Sequence, residues 1–128
     1  MVAKEKALVR MANKASTDLT GKEGHVAEYD GGLKLSGGTN ALGIITEGGS
    51  ESSDVAILGT FDGIVRAKAS GAVAAGSKVV VDSSGKVKGL PSTAGTYTVV
   101  GVAVQSGVAD ELVEIAPMAP TPVTVTAS

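Results

Sequence analysis

The strongest constraint on this chain is that it is written twice. "LVRMANKAS" (Leu8–Ser16) is echoed by "IVRAKAS" (Ile64–Ser70): a branched apolar residue, then Val-Arg, then Lys-Ala-Ser. The following segments match in the same order. "GHVAEYD" (Gly24–Asp30) corresponds to "GSKVVVD" (Gly76–Asp82), a Gly, five residues of strand and an Asp that opens a turn. "ALGIITEGG" (Ala41–Gly49) corresponds to "VVGVAVQSG" (Val99–Gly107), each with a Gly inside an apolar strand, where another backbone or side chain approaches closely or the strand bulges. Val55 and Ile57 then correspond to Val113 and Ile115. Such an ordered series predicts two copies of one folding unit, over residues 8–58 and 64–116, joined through "GTFDG". The copies differ by small insertions in loops, where insertions are best tolerated.

The unit itself reads as β. "KVVVD", "SSG" and "KVK" (Lys78–Lys88) form a hairpin signal, with Gly85 free to take a positive φ. "ELVEI" (Glu111–Ile115) alternates, with Val113 and Ile115 on one face and Leu112 and Glu114 on the other. "YTVVGVAV" (Tyr97–Val104) is too short and β-branched for a helix and reads as a strand buried on both faces. One short helical turn fits "SGAVAAG" (Ser70–Gly76), and helical periodicity is otherwise weak. The chain of 128 residues contains one Phe, two Tyr and no Trp, so Val, Ile, Leu and Ala must form the core. Its 18 glycines suit short strands joined by tight turns. The expected fold is all-β: a small tulip- or barrel-like body with an internal pseudo-twofold duplication and little helix. Closure of that body removes the edge strands that make β proteins aggregate.

Two segments fall outside the duplication. Residues 1–7 read as an extended N-terminal arm. Residues 117–128, "PMAPTPVTVTAS", read as an extended Pro/Thr-rich tail whose "VTVTA" can pair if an edge is offered.

The chemistry-bearing residues are few. A net charge of −2 with interspersed signs leaves no electrostatic footprint for nucleic acid. With no Cys, disulfides and thiolate metal sites are excluded. No secretory signal opens the chain and no apolar run approaches a membrane span, so synthesis in the cytoplasm is expected. His25 is the single histidine and, at the start of a strand without a nucleophile motif beside it, reads as structural. Asp30, Asp54, Asp62, Asp82 and Asp110 lie along the chain beside Gly, Ser or strand starts and read as turn formers rather than paired acids. "GGSESS" (Gly48–Ser53) has no Gly-Lys-Ser/Thr after it and reads as a mobile rim loop, not a phosphate cradle. No catalytic, cofactor-binding or metal residue is expected, and the chain is not expected to be an enzyme. Lys86 beside its hairpin turn fits the outline of a biotinyl or lipoyl carrier domain, but Met-Lys-Met or Asp-Lys-Ala flanks are missing. An adhesion or carbohydrate-binding β module is the other alternative, weakened by the shortage of aromatics that stack on sugars.

The run Ala72–Pro117 resembles the head decoration, or capsid cement, proteins of tailed bacteriophages. It carries an "AG" opening, a Val-rich strand, "D-x-x-G-K-V", "GVA", and an acidic loop before "V-x-I". "NALGIITEGGSESSDVAIL" (Asn40–Leu58) is similar to the same theme, including the "A-x-G-I" strand of lambda-type members. The resemblance implies a virion protein on the capsid exterior, trimeric, bound to the major capsid protein and holding the expanded shell against the pressure of packaged DNA. It also implies an N-terminal arm that pairs with a coat-protein strand, which makes Val2, Ala3, Lys4, Glu5, Lys6 and Ala7 the candidate capsid contacts. Direct nucleic-acid or membrane partners and cofactors are not implied.

Overall fold

A computed structural model of the chain describes residues 10–29, 32–51, 54–58 and 64–126. Ten strands build it: β1 (Arg10–Lys14), β2 (Val26–Tyr29), β3 (Leu33–Leu35), β4 (Gly43–Glu47), β5 (Asp54–Leu58), β6 (Val65–Lys68), β7 (Lys78–Val81), β8 (Val87–Gly89), β9 (Gly95–Ala103) and β10 (Leu112–Val125). Among the described residues there is no helix, so "SGAVAAG" does not form the helical turn expected of it. Val73 instead bridges to Gly107, and Ala75 and Gly76 make a turn.

The strands form two five-stranded sheets with one topology. The order is β1-β5-β4-β2-β3 in the first and β6-β10-β9-β7-β8 in the second, so each strand has its counterpart five places on. The closing contact is also repeated. Ala15 bridges Leu33 and Ala69 bridges Val87, both parallel, and the N–H groups of Ser16 and Ser70 donate to the Leu33 and Val87 carbonyls at 2.8 Å in each copy. Each sheet thereby curls until its two outer strands nearly meet, giving a barrel-like body with little open edge.

Register makes the equivalence residue by residue. Lys14 faces Asp54 and Met11 faces Ile57, as Lys68 faces Leu112 and Val65 faces Ile115. Lys-Ala-Ser therefore carries the repeat, and the Val-Arg echo is out of step by two residues: Arg10 lies opposite Leu58, Arg66 opposite Glu114. Because strand side chains alternate with period two, that slip preserves which face each residue occupies. Gly43 pairs with Ala27 and Gly101 with Val79, which puts the two in-strand glycines at one place in the two sheets.

The barrel interiors are aliphatic and match by position. Ala15, Leu19, Ala27, Leu33 and Ile45 fill the first. Their counterparts Ala69, Val73, Val79, Val87 and Ala103 lie in the second, with Val113 and Ile115. Each such Val, Leu or Ile contributes roughly 1.5–3 kcal/mol by leaving water. Val26 and Ile44 point the other way, out of the first barrel, and are buried in the core of the second. That contact joins the halves.

Two further expectations change. "YTVVGVAV" is not buried throughout: Val99, Val100 and Ala103 are buried, Val102 is half-buried and Val104 is exposed. The boundary expected at residue 117 falls inside β10, which runs on to Val125. Pro117 faces Gly101 and Thr121 faces Val99, so three residues bulge opposite Val100, after which pairing with β9 resumes as far as Val125 opposite Gly95. β9 supplies the edge that "VTVT" needed.

Candidate interaction surfaces

The expected contact residues Val2, Ala3, Lys4, Glu5, Lys6 and Ala7 lie outside the described residues, as do Leu8, Val9 and the "GTFDG" joint. Of the aspartates, Asp30 and Asp62 also lie outside them. Asp18 and Asp82 form turns. The Asp18 carboxylate accepts from the Thr20 hydroxyl at 2.7 Å and the Thr20 N–H at 3.0 Å, bonds that hold its pKa below the usual value. Asp82 accepts from the Ser84 N–H, the Ser84 hydroxyl and the Lys86 N–H at 2.8, 2.7 and 3.0 Å. Burial works to raise its pKa, and hydrogen bonds from Ser70, Ser84 and Lys86 outweigh that and lower it. This bonding holds the β7–β8 turn, where Gly85 has a φ of 84°. Lys86 is tied to Asp110 at 3.2 Å, so it does not stand clear of its turn as a carrier lysine would. Among the described residues, no three His, Cys, Asp or Glu side chains gather as a metal site requires.

The glycine-rich rim loop is anchored where it is described. The Leu19 N–H donates to the Gly49 carbonyl at 2.7 Å, and the Gly48 N–H donates to the Glu23 carboxylate at 2.8 Å.

His25 is buried at the junction between the halves, only 6% exposed, with Nδ1 3.2 Å from the Lys22 carbonyl. Burial, then the charges of Lys22 and Lys86, push its pKa down. The junction is made by backbone groups and one side-chain hydroxyl. The Val26 N–H donates to the Gly85 carbonyl at 2.6 Å, the Lys68 N–H donates to the Gly24 carbonyl at 2.8 Å, and the Thr98 hydroxyl donates to the Thr39 carbonyl at 2.9 Å. These are not equivalent positions. The first half offers the outer face of β2 and β4 and the segment between β3 and β4; the second half offers the β7–β8 turn, the end of β6 with the start of β10, and β9 with the Pro117–Pro120 bulge.

The remaining surface features were not singled out by sequence. On the outer face of the second sheet, β10 aligns Ala116 with Val102 of β9, and Val102 with Lys78 of β7. Ile64 and Val104 flank this row and are 52% and 47% exposed. Beside it runs an open groove of about 550 Å³, lined by Ala72, Ala74, Ser77, Lys78, Gly89 and Leu90 among others. The alternation of "VVGVAV" holds the signal for the outward valines, but the uninterrupted apolar run masks it.

No protein-family model matches this sequence, and no curated protein does. Among solved structures, the chain is similar to the N base of the head fiber protein gp8.5 of bacteriophage phi29, with a TM-score of 0.59 at 14% identity, over 85% of this chain and 92% of that one. At that identity the likeness is one of fold.

Proposed function

We propose that this chain is a non-enzymatic structural protein of a phage virion, bound to the outside of the expanded head and stabilising it. The observation that carries the reading is the fold: a duplicated β body that matches a phage head fiber base over most of both chains. The cement-like motifs of Asn40–Leu58 and Ala72–Pro117 point the same way from sequence. The partners in this reading are the major capsid protein and further copies of the chain, assembled as a homotrimer. The arm Val2–Ala7 supplies a coat-protein contact. The mechanism is mechanical: many weak contacts, repeated by the symmetry of the shell, sum to resist its dilation.

Co-sedimentation tests this. Purified protein should pellet with expanded heads and stay in the supernatant with unexpanded ones; equal binding to both overturns the reading. Deleting residues 1–6 should weaken binding while the body stays folded, and unchanged occupancy removes the arm from the mechanism.

A further inference from the structure

His25 lies on the line where the two repeats meet. The residues before and after it both bond across that line: the Gly24 carbonyl accepts from the Lys68 N–H at 2.8 Å, and the Val26 N–H donates to the Gly85 carbonyl at 2.6 Å. The ring is 6% exposed, with Nδ1 3.2 Å from the Lys22 carbonyl. The place suits a neutral imidazole, which can give that carbonyl one N–H and carries no charge to desolvate. It does not suit an imidazolium. Two cations already act on the ring, Lys22 from its own turn and Lys86 from the β7–β8 turn of the other repeat. β6 adds Arg66 and Lys68. The carboxylates of the elements packed around the ring are engaged elsewhere. Glu23 accepts from the Gly48 N–H at 2.8 Å, Asp82 holds its own turn, Asp110 holds Lys86 at 3.2 Å, and Glu111 accepts from the Val108 N–H at 2.9 Å. Glu47 of β4 has a partner of its own.

We propose that His25 is an acid-sensitive latch between the repeats: neutral, it lets them lock, and protonated, it parts them while each barrel stays closed. Parting relieves the buried charge in two ways. Water reaches the ring, and Lys86 leaves with the second repeat while Lys22 stays with the first. The bonds at Gly24 and Val26 are undone, and Val26 and Ile44, which belong to the core of the second repeat, are uncovered. Each sheet keeps its own closing contact, the Ser16 N–H on the Leu33 carbonyl and the Ser70 N–H on the Val87 carbonyl. Both of those bonds join residues of a single repeat. The latch is independent of what the outer surface of the protein binds.

Hydrogen exchange of the full-length chain reads both kinds of contact at once. The rates are first corrected for the intrinsic pH dependence of amide exchange. Between pH 7.5 and 5.0, opening at the Val26 and Lys68 amides should then rise by up to about thirtyfold, the ceiling for a histidine that takes its proton at about 6.5 once exposed. Opening at the Ser16 and Ser70 amides should change by less than about twofold, because local and global opening are separate events. His25→Gln and His25→Phe, neither of which titrates, should both abolish the rise. Equal acceleration at all four amides overturns the proposal, since the chain then unfolds as one unit. So does acceleration at none of them, or a rise that survives either substitution. The comparison between the two pairs of amides is made in the unsubstituted chain, so it decides the matter even where a variant fails to fold.

Discussion

Gly24 and Gly76 occupy the same place in the two repeats, with φ of 88° and 86°, and meet opposite surroundings. A side chain on Gly24 would begin 2.8 Å from the Leu112 Cδ2 and 3.1 Å from the Lys68 N, whereas one on Gly76 would find nothing within 4 Å. The pair records the front-to-back junction in two residues. It also gives a direct measurement. Gly76→Ala should cost about 1–2 kcal/mol, the ordinary penalty for a left-handed alanine. Gly24→Ala carries that penalty plus an overpacking cost of about 1–3 kcal/mol at the junction. Urea denaturation of both variants checks this, and equal losses would contradict the junction.

Gly101→Ala should be more damaging than Gly76→Ala at its open turn. Its side chain would begin 2.6 Å from the Ala116 carbonyl oxygen and 3.2 Å from the Pro117 Cα, both backbone atoms that cannot swing aside. A loss of about 2–4 kcal/mol is expected, at the upper end for a single substitution. Thermal unfolding with the midpoint unchanged from the unsubstituted chain would show that β9 and β10 are not packed as closely as described.

Stability should fall with acid in two separate windows. The folded pKa of His25 lies below its unfolded value of 6.5, so the unfolded chain takes up the proton first. The contribution of neutral, buried His25 is therefore complete above the unfolded pKa. It is lost as pH drops from there towards the folded pKa. Asp18 and Asp82 have folded pKa values below 3.8, so their contribution is present above that value and is lost only at lower pH, as each is protonated. Denaturation curves at pH 7.5 and 5.0 should differ for the unsubstituted chain and coincide for His25→Gln. A His25→Gln chain that keeps the full difference would place the titrating group elsewhere.

Removing residues 118–128 should strip the far half of β9 of its partner. Val99 to Val102 lie between β7 and β10, but Gly95 to Thr98 pair with β10 alone, through Pro122 to Val125. A strand segment with its one partner removed exchanges its amide hydrogens freely. Hydrogen exchange should therefore speed up at Thr96–Thr98 and stay slow at Val99–Val102; uniform protection across β9 would mean that the C-terminal pairing contributes nothing to it.

Much of the architecture is legible without coordinates because it depends on local chemistry. The order of apolar and polar residues, the turn glycines and the repeated spacings from Gly43 to Ile57 and from Gly101 to Ile115 fix two copies of one β unit. Alternation in "ELVEI" assigns Val113 and Ile115 to the interior, where they are 1% and 0% exposed. Asp82 and Gly85 announce their hairpin. The proline-rich end is harder to read, since whether "VTVT" pairs depends on a free β9 edge far away in sequence.

The junction is of another kind. Val26 and Lys78 stand at one position in two copies, and nothing local says that the first is covered by the neighbouring repeat while the second is not. Nor does the sequence around His25 say that the residue lies between two halves. Strand periodicity determines which side chains leave the barrel, because alternation is a property of the strand itself. Which of those outward faces meets the other repeat is decided only when two closed bodies pack, through contacts such as Val26 to Gly85 and Lys68 to Gly24 that join residues more than forty apart.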